Sequence, residues 1–236
     1  MIIETMGRRR TTSYTKALLH FDTAFSSTAI GGTITDEVVG TWSRQERSAQ
    51  DYIDTGLSKF GVGSIHGSLS TSGYQVYVKY DNAITDLMGG DFTVDCQVYY
   101  GSSDYQGALW EASSTGAGGY WVDPCIQIYQ QAGLIKINSY DAAGTLTTIN
   151  SAINLTVSAF NHVALVRSGA TGYLFINGVN AGTISLANIR ASVAYRIMYI
   201  YSSGSLRTLG MDEFRISDIA RWTSNFTPPT SAYTLD

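Results

Sequence analysis

The sequence predicts an all-β fold, an antiparallel sandwich or jelly roll, and three observations predict it. Apolar and polar residues alternate with a period of two from about residue 17 to the end. Short turns rich in Gly, Ser and Asn punctuate that alternation, with 24 Gly against only 3 Pro. Tyr, a residue that strands favour, occurs 16 times. Hydrophobic residues make up 44% and charged residues 14%, enough apolar material for a core and too little charge for a disordered chain. No internal repeat or interdomain linker is visible, so residues 17–236 read as one domain.

The individual strands follow from the pattern. "WSRQERSAQD", Trp42 to Asp51, is the most polar stretch and reads as a loop or a single helical turn. In "YQVYVKY", Tyr74, Val76, Val78 and Tyr80 share one face and Gln75, Tyr77 and Lys79 the other. "FTVDCQVYY" repeats this, with Phe92, Val94, Cys96 and Val98 on the core side. "HVALVRS" and "GYLFINGV" follow, and Asn177-Gly178 in the second marks a tight hairpin turn, since both residues tolerate positive φ. "YRIMYIYS" places Tyr195, Ile197, Tyr199 and Tyr201 together. "MDEFRIS" places Asp212, Phe214 and Ile216 opposite Met211, Glu213 and Arg215, which would send its two acids to different faces.

Charge and cysteine content narrow the function. A formal net charge of -4 argues against general attraction to nucleic acid. The opening "MIIETMGRRRTTSY" holds no apolar run long enough for a signal-peptide core, and no segment reaches transmembrane length. A soluble protein without membrane contact is expected. Arg8, Arg9 and Arg10 form the one basic cluster. A solvated tail is the commoner role of such a cluster, but residues 1–16 as an anchoring arm, docked on another copy or a partner, are the expectation adopted. Cys96 and Cys125 match no metal or redox spacing and are expected as free buried thiols, with a single disulfide between them as the alternative.

No catalytic constellation emerges. The five Glu (Glu4, Glu37, Glu46, Glu111 and Glu213) form no E-x-D-x-x-E run, and His20, His66 and His162 fall in no H-E-x-x-H cluster. No G-x-S-x-G elbow occurs, and "GVGSIHG" has the wrong spacing for a dinucleotide loop. An enzyme is not expected. Exposed aromatic residues that could stack on a sugar are Tyr77, Tyr99, Tyr100, Tyr105, Trp110, Tyr120 and Trp121, with "DYQGALWEASSTGAGGYW" the richest region and Tyr105, Trp110, Tyr120 and Trp121 the chosen candidates. The competing reading is that Trp110 and Trp121 simply fill the core.

Five stretches resemble the laminin-G-like branch of the concanavalin A-like lectin and glucanase superfamily. They are "ALLHFDT", "KFGVGSIHGSLSTSGYQVYV", "GDFTVDCQVYY", "FNHVALVRSGATGYLFINGV" and the closing "MDEFRISDIARWTSNFTPPTSAY". Together they cover residues 17–235. Phe160 stands where that family often has Trp, and Asp95 where it often has Glu, which reads as the loss of a surface acid.

The resemblance implies a concanavalin A-like jelly-roll sandwich of two antiparallel sheets. "MDEFRIS" would be the final strand beside "LLHFD", and the last residues would wrap over the sandwich with Trp222, Phe226 and Tyr233 as apolar plugs. It also implies a possible structural calcium at Asp22 and Asp212. The alternative is that Asp22 caps a turn and Asp212 pairs with Arg215 or Arg221. Short chains of this type ending in "FTPPT" resemble phage structural proteins. The functional expectation is therefore a virion protein, assembled in the host cytoplasm, that decorates a head or tail, contacts other virion proteins and forms a homo-oligomer. A tail adhesin that binds host surface glycan is the second expectation, and a glycan-degrading enzyme the third.

Overall fold

The computed structural model describes residues 13–24, 32–46, 51–69, 75–84, 87–101, 106–115, 124–201 and 207–236. Among them lie sixteen strands and no helix. The strands are β1 (Thr15–Leu19), β2 (Thr33–Thr35), β3 (Thr41–Glu46), β4 (Asp51–Asp54), β5 (Ser64–Leu69), β6 (Gln75–Tyr80), β7 (Phe92–Tyr100) and β8 (Gln106–Ser113). They continue with β9 (Pro124–Gln131), β10 (Leu134–Tyr140), β11 (Leu146–Asn154), β12 (Ala159–Ser168), β13 (Thr171–Ile176), β14 (Val179–Ser185), β15 (Ala194–Tyr201) and β16 (Arg207–Ser217).

Two antiparallel sheets of eight strands result. The first runs β14-β13-β12-β7-β16-β5-β4, with β1 also paired to β16, and the second runs β11-β10-β9-β8-β15-β6-β3-β2. Alternation supplies the shared core. Phe92, Val94, Cys96 and Val98 enter it from the first sheet, while Val78, Trp110, Tyr195 and Ile197 enter it from the second. The Asn177-Gly178 turn joins β13 to β14 with φ of 50° and 77°, the left-handed values a two-residue hairpin needs. Cys96 and Cys125 are free and buried, as the spacing predicts.

The polar stretch from Trp42 is a strand through Glu46, not a loop or a helical turn. Trp42 fills the core, Arg44 is buried, and β2 and β6 pair with the backbone on either side. Pairing on both edges overrides the low apolar content. Beside it, Asp36 ties the two sheets together. Its carboxylate accepts from the Leu18 N–H of β1 (2.9 Å) and the Trp42 Nε1–H of β3 (3.2 Å), and from the N–H groups of Val38 (2.6 Å) and Val39 (3.0 Å).

The face assignment of β16 differs from the alternation. Glu213 has φ of 54°, and the register with β7 slips between Asp212 and Arg215, the mark of a β-bulge. Met211, Phe214 and Ile216 all enter the core as a result, and Asp212 and Glu213 both lie outside it. The bulge falls where the neighbour of β16 changes. Residues 207–211 pair with β5, and residues 214–217 pair with β1. β1 therefore does lie beside the closing strand, with Leu19 opposite Phe214. It also takes in Thr15 and Lys16, which the sequence reading gave to the arm.

Residues after β16 cover the outer face of the first sheet. Trp222 and Phe226 stack at 3.9 Å and pack on Ala164, Val166 and Phe175, and Tyr233 is buried. Beneath these rings Asp95 is fully buried, so it is not the surface acid that the sequence suggests. Arg215 donates to it from Nε (3.0 Å) and Nη2 (2.9 Å), and His162 Nε2 lies 3.3 Å away. The guanidinium also sits 4.3 Å from the Tyr233 ring centre. Burial pushes the Asp95 carboxyl up, but the His162 hydrogen bond and the Arg215 charge outweigh it and hold the pKa below the usual range. Asp236 then accepts from Thr15 Oγ1 (2.8 Å) and Arg221 Nη2 (2.6 Å), fastening the last residue to β1.

Asp95→Ala would strand the Arg215 charge under this cover, and such a loss costs about 3–5 kcal/mol. Urea unfolding of the variant should show that deficit. A change under about 1 kcal/mol would mean that the tail is held by its rings alone.

Candidate functional site

With Ala164, Val166 and Phe175 of the first sheet covered by the tail, the outer face of the second sheet presents an ordered polar surface. One row crosses all eight strands, in the order Thr33, Ser43, Lys79, Arg196, Glu111, Gln127, Asn138 and Thr148. Each residue stands directly opposite the next in the strand register. The alternation explains the row. Arg196 lies between the core residues Tyr195 and Ile197, Glu111 between Trp110 and Ala112, and Gln127 between Ile126 and Ile128.

Side-chain hydrogen bonds link five of the eight. Thr148 Oγ1 donates to Asn138 Oδ1 (2.8 Å), Asn138 Nδ2 to Gln127 Oε1 (3.2 Å), and Gln127 Nε2 to Glu111 Oε2 (2.7 Å). Arg196 pairs with the other Glu111 oxygen, and its guanidinium lies 5.1 Å from the Tyr77 ring centre. A carboxylate only accepts, so Glu111 fixes the orientation of each amide beyond it. Glu111 and Arg196 are buried, Gln127 and Asn138 are half-buried, and Thr148 is exposed. The accessible part of the row is therefore its β9–β11 end.

Two tyrosines flank that end. Tyr129 faces Lys136 across the β9–β10 pair, and Lys136 Nζ lies 5.8 Å from its ring centre. Tyr140 carries Arg190 at 5.9 Å, with Arg190 Nε donating to the Asp141 carbonyl (2.9 Å). All four side chains are half-buried. The sequence reading missed Gln127, Tyr129, Lys136, Asn138, Tyr140 and Arg190. The signal for the strand residues was present, since "CIQIYQQAGLIKINSY" alternates Ile126, Ile128, Ile135 and Ile137 with them. Arg190 comes from a separate segment and carried no such mark.

The residues chosen from sequence fare differently. Trp110 is in the core, stacked on Tyr195 at 6.2 Å, and offers no face to a sugar. Tyr77 and Tyr100 are buried rather than exposed, and Tyr99 is half-buried against Phe160. Tyr105, Tyr120, Trp121 and the Arg8, Arg9 and Arg10 cluster lie outside the described residues. A cleft of about 790 Å³ opens at one end of the sandwich beside Lys16, Val38, Tyr80, Asp91 and Asp218. Its charges are already engaged, Lys16 with Asp218 (2.9 Å) and Asp91 with the Gly169 N–H (2.7 Å).

Asp22 and Asp212 do converge, but on backbone amides. Asp22 Oδ1 accepts from Val62 (2.6 Å) and Gly63 (3.0 Å), and Asp212 Oδ2 from Lys59 (2.7 Å) and Phe60 (3.0 Å). Together they clamp the β4–β5 loop, where Gly61 has φ of 59° and a Cβ in place of its hydrogen would overlap the Asp22 carboxylate. Asp212 pairs with neither Arg215 nor Arg221, which are held by Asp95 and Asp236. Calcium takes six to eight oxygens, and among the described residues no three His, Cys, Asp or Glu side chains cluster as a metal site needs. These amides occupy Asp22 Oδ1 and Asp212 Oδ2, while Asp212 Oδ1 is buried with no hydrogen-bond partner, so the two acids hold the loop and by themselves fall short of a calcium ligand set.

Burial, with the nearby Glu213 charge, raises the Asp212 pKa to about 6. The folded state therefore holds a proton that the unfolded chain has lost between about pH 4 and pH 6, and this contribution to stability falls as pH rises through that window. Asp212→Asn keeps an oxygen for the loop amides. It should be nearly neutral at pH 4 and stabilising above pH 6, as read from thermal unfolding across that range. An unchanged pH profile would contradict the assignment.

No curated protein matches the sequence. The receptor-binding domain of botulinum neurotoxin D is similar in structure, with a TM-score of 0.61 and 11% identity over 89% of this chain and 50% of that one. The binding domain of Paraclostridial Mosquitocidal Protein 1 gives 0.61 and 13% over 86% and 49%. The endo-β-1,4-glucuronan lyase of the fungus Trichoderma reesei gives 0.57 and 13% over 74% and 89%. The chain thus spans about half the length of the toxin binding domains. At these identities the likeness establishes the fold, a lectin-like sandwich that serves binding domains and at least one lyase. The family profile described as Concanavalin A-like lectin/glucanases superfamily matches residues 72–224, well over half of the chain, and the protein belongs to that superfamily.

Proposed function

We propose that this chain is a glycan-binding module without catalytic activity, carried on the surface of a phage particle. The hydrogen-bonded polar row with its flanking tyrosines carries the reading. Sugars present hydroxyls that both donate and accept beside C–H faces that pack on rings, and amides between aromatic side chains answer both needs. Glu111 is the one carboxylate of the row, and it is engaged by Arg196 and Gln127. A retaining glycosidase sets two carboxyls about 5 Å apart, so the row supports recognition rather than hydrolysis.

The same superfamily hosts both binding and chemistry, so the argument rests on the site and not on the fold. From sequence, decoration of a head or tail came first and adhesion second; the row supports the reverse order. The virion placement draws its support from the resemblance of the closing "FTPPT" segment to phage structural proteins.

A glycan array probed with the purified chain tests the reading. Binding is expected, and Tyr129→Ala and Asn138→Ala should each weaken it about tenfold, which corresponds to about 1.4 kcal/mol. Both side chains are half-buried and Asn138 bridges Thr148 to Gln127, so the melting temperature of each variant is read beside its affinity, and weakened binding by a folded variant is the expected result. Affinity unchanged in both, or release of reducing ends from the bound glycan, would sink the proposal. Labelling of purified particles checks the placement, with signal at the tail tip expected for an adhesin.

A further inference from the structure

The edges of the two sheets are closed by different means, and one of them is left open. β2 ends the second sheet with only three residues, and β4 ends the first with four, an Asp at each end. Short or acidic edges of this kind discourage pairing with another chain. At β1 the Leu18 N–H donates to Asp36 Oδ2 (2.9 Å), and the Leu18 carbonyl accepts from the Glu37 N–H (3.2 Å). At β14 the Asn180 N–H donates to Asn225 Oδ1 (2.9 Å) and the Gly182 N–H to Asn180 Oδ1 (2.9 Å). β11 is the remaining edge, and its nine residues include no charge, no Pro and no Gly. Among the described residues it pairs with β10 alone, and no other segment takes its backbone groups.

The open strand is also shaped for a copy of itself. Residues 146–150 match β10 one to one, and the bulge falls beyond them, between Asn150 and Asn154. Leu146, Thr147 and Thr148 are all exposed, so the strand stands clear on both faces there, and β14 meets it at Ile149, which lies against Gly182. A two-fold axis at Thr148 sets this residue opposite its own counterpart, Thr147 opposite Ile149 and Leu146 opposite Asn150. Thr–Thr pairs are favourable across strands, and an uncharged edge escapes the like-charge repulsion that a charged one would meet in its own copy. We infer that β11 is a homodimer interface, pairing antiparallel with β11 of a second copy about that axis. The two eight-stranded sheets then join into one, and the polar row continues from Thr148 of one copy into Thr148 of the other. With one open edge per copy among the described residues, the assembly closes as a dimer. Pairing uses the edge of the sheet and not its face, so it holds whether or not the row binds a glycan.

Sedimentation of the full chain over a wide concentration range tests the interface. A monomer–dimer equilibrium is expected, and Thr148→Lys should weaken it about tenfold or more, since two like charges would then face each other about 5 Å apart. Thr148 is exposed, so the circular dichroism of this variant should match that of the parent. Thr148→Cys gives a second reading. Oxidation should join two copies of it, because directly opposed residues come close enough for a disulfide. Leu146→Cys, about 14 Å from its counterpart in this register, should not be joined. A chain that stays monomeric at every concentration would overturn the dimer and leave the edge to a strand of a different protein. Growth into open assemblies would overturn the two-fold closure. A dimer that survives Thr148→Lys, or oxidation that links Leu146→Cys as readily as Thr148→Cys, would place the contact elsewhere and overturn the role of β11.

Discussion

The bulge at Glu213 is the constraint on which the rest of the sandwich turns. Among the described residues β16 is the one strand that pairs with three others, and its partner on one side changes from β5 to β1 partway along. A ladder cannot pass smoothly through such a handover, because the backbone groups at the seam lose a regular partner. The extra residue lets Met211 and Phe214 both reach the core, and it leaves two adjacent acids outside to serve the loose ends. Asp212 takes the amides of the loop leading into β5, and Glu213 takes His20 Nδ1 after β1 (2.9 Å) and the Tyr233 N–H (2.7 Å).

That arrangement explains the density of charge in the closing segment without recourse to chemistry. The Glu213 hydrogen bond raises the His20 pKa despite partial burial, so the imidazole is held towards its charged form, where it attracts the acid more strongly. Asp95, Arg215 and His162 form a second ionic group under Trp222 and Phe226. In both cases a group that reads as catalytic by residue type is spent on holding one chain segment to another. Buried polar groups need such partners, and a tail laid over a sheet face provides them.

Covering one sheet has a functional corollary. Once the tail occupies part of the outer face of the first sheet, the β9–β11 end of the second is the accessible strand surface that carries the proposed site. Its polar row is a product of register, since a slip by one residue in a strand exchanges its outward-facing side chains for inward-facing ones. The rigidity of the sheet fixes the spacing between the Tyr129–Lys136 and Tyr140–Arg190 pairs, and pre-organisation of that kind lowers the entropy lost on binding.

Strand identity was legible from sequence wherever one face is apolar and the other polar, as in "FTVDCQVYY" and "HVALVRS", because the period of two is a local property. The closing strand, its contact with β1 and the plugs at Trp222, Phe226 and Tyr233 were legible from the family resemblance. What the sequence could not determine was which partners each strand would meet. The strand at Trp42 depends on neighbours on both edges, the bulge at Glu213 on the β5-to-β1 handover, and the buried state of Asp95 on a tail more than 120 residues away. The row from Thr33 to Thr148 draws one residue from each of eight strands, so it exists only in the register between chain segments. Local alternation settles which way a side chain points, and only tertiary pairing decides what it points beside.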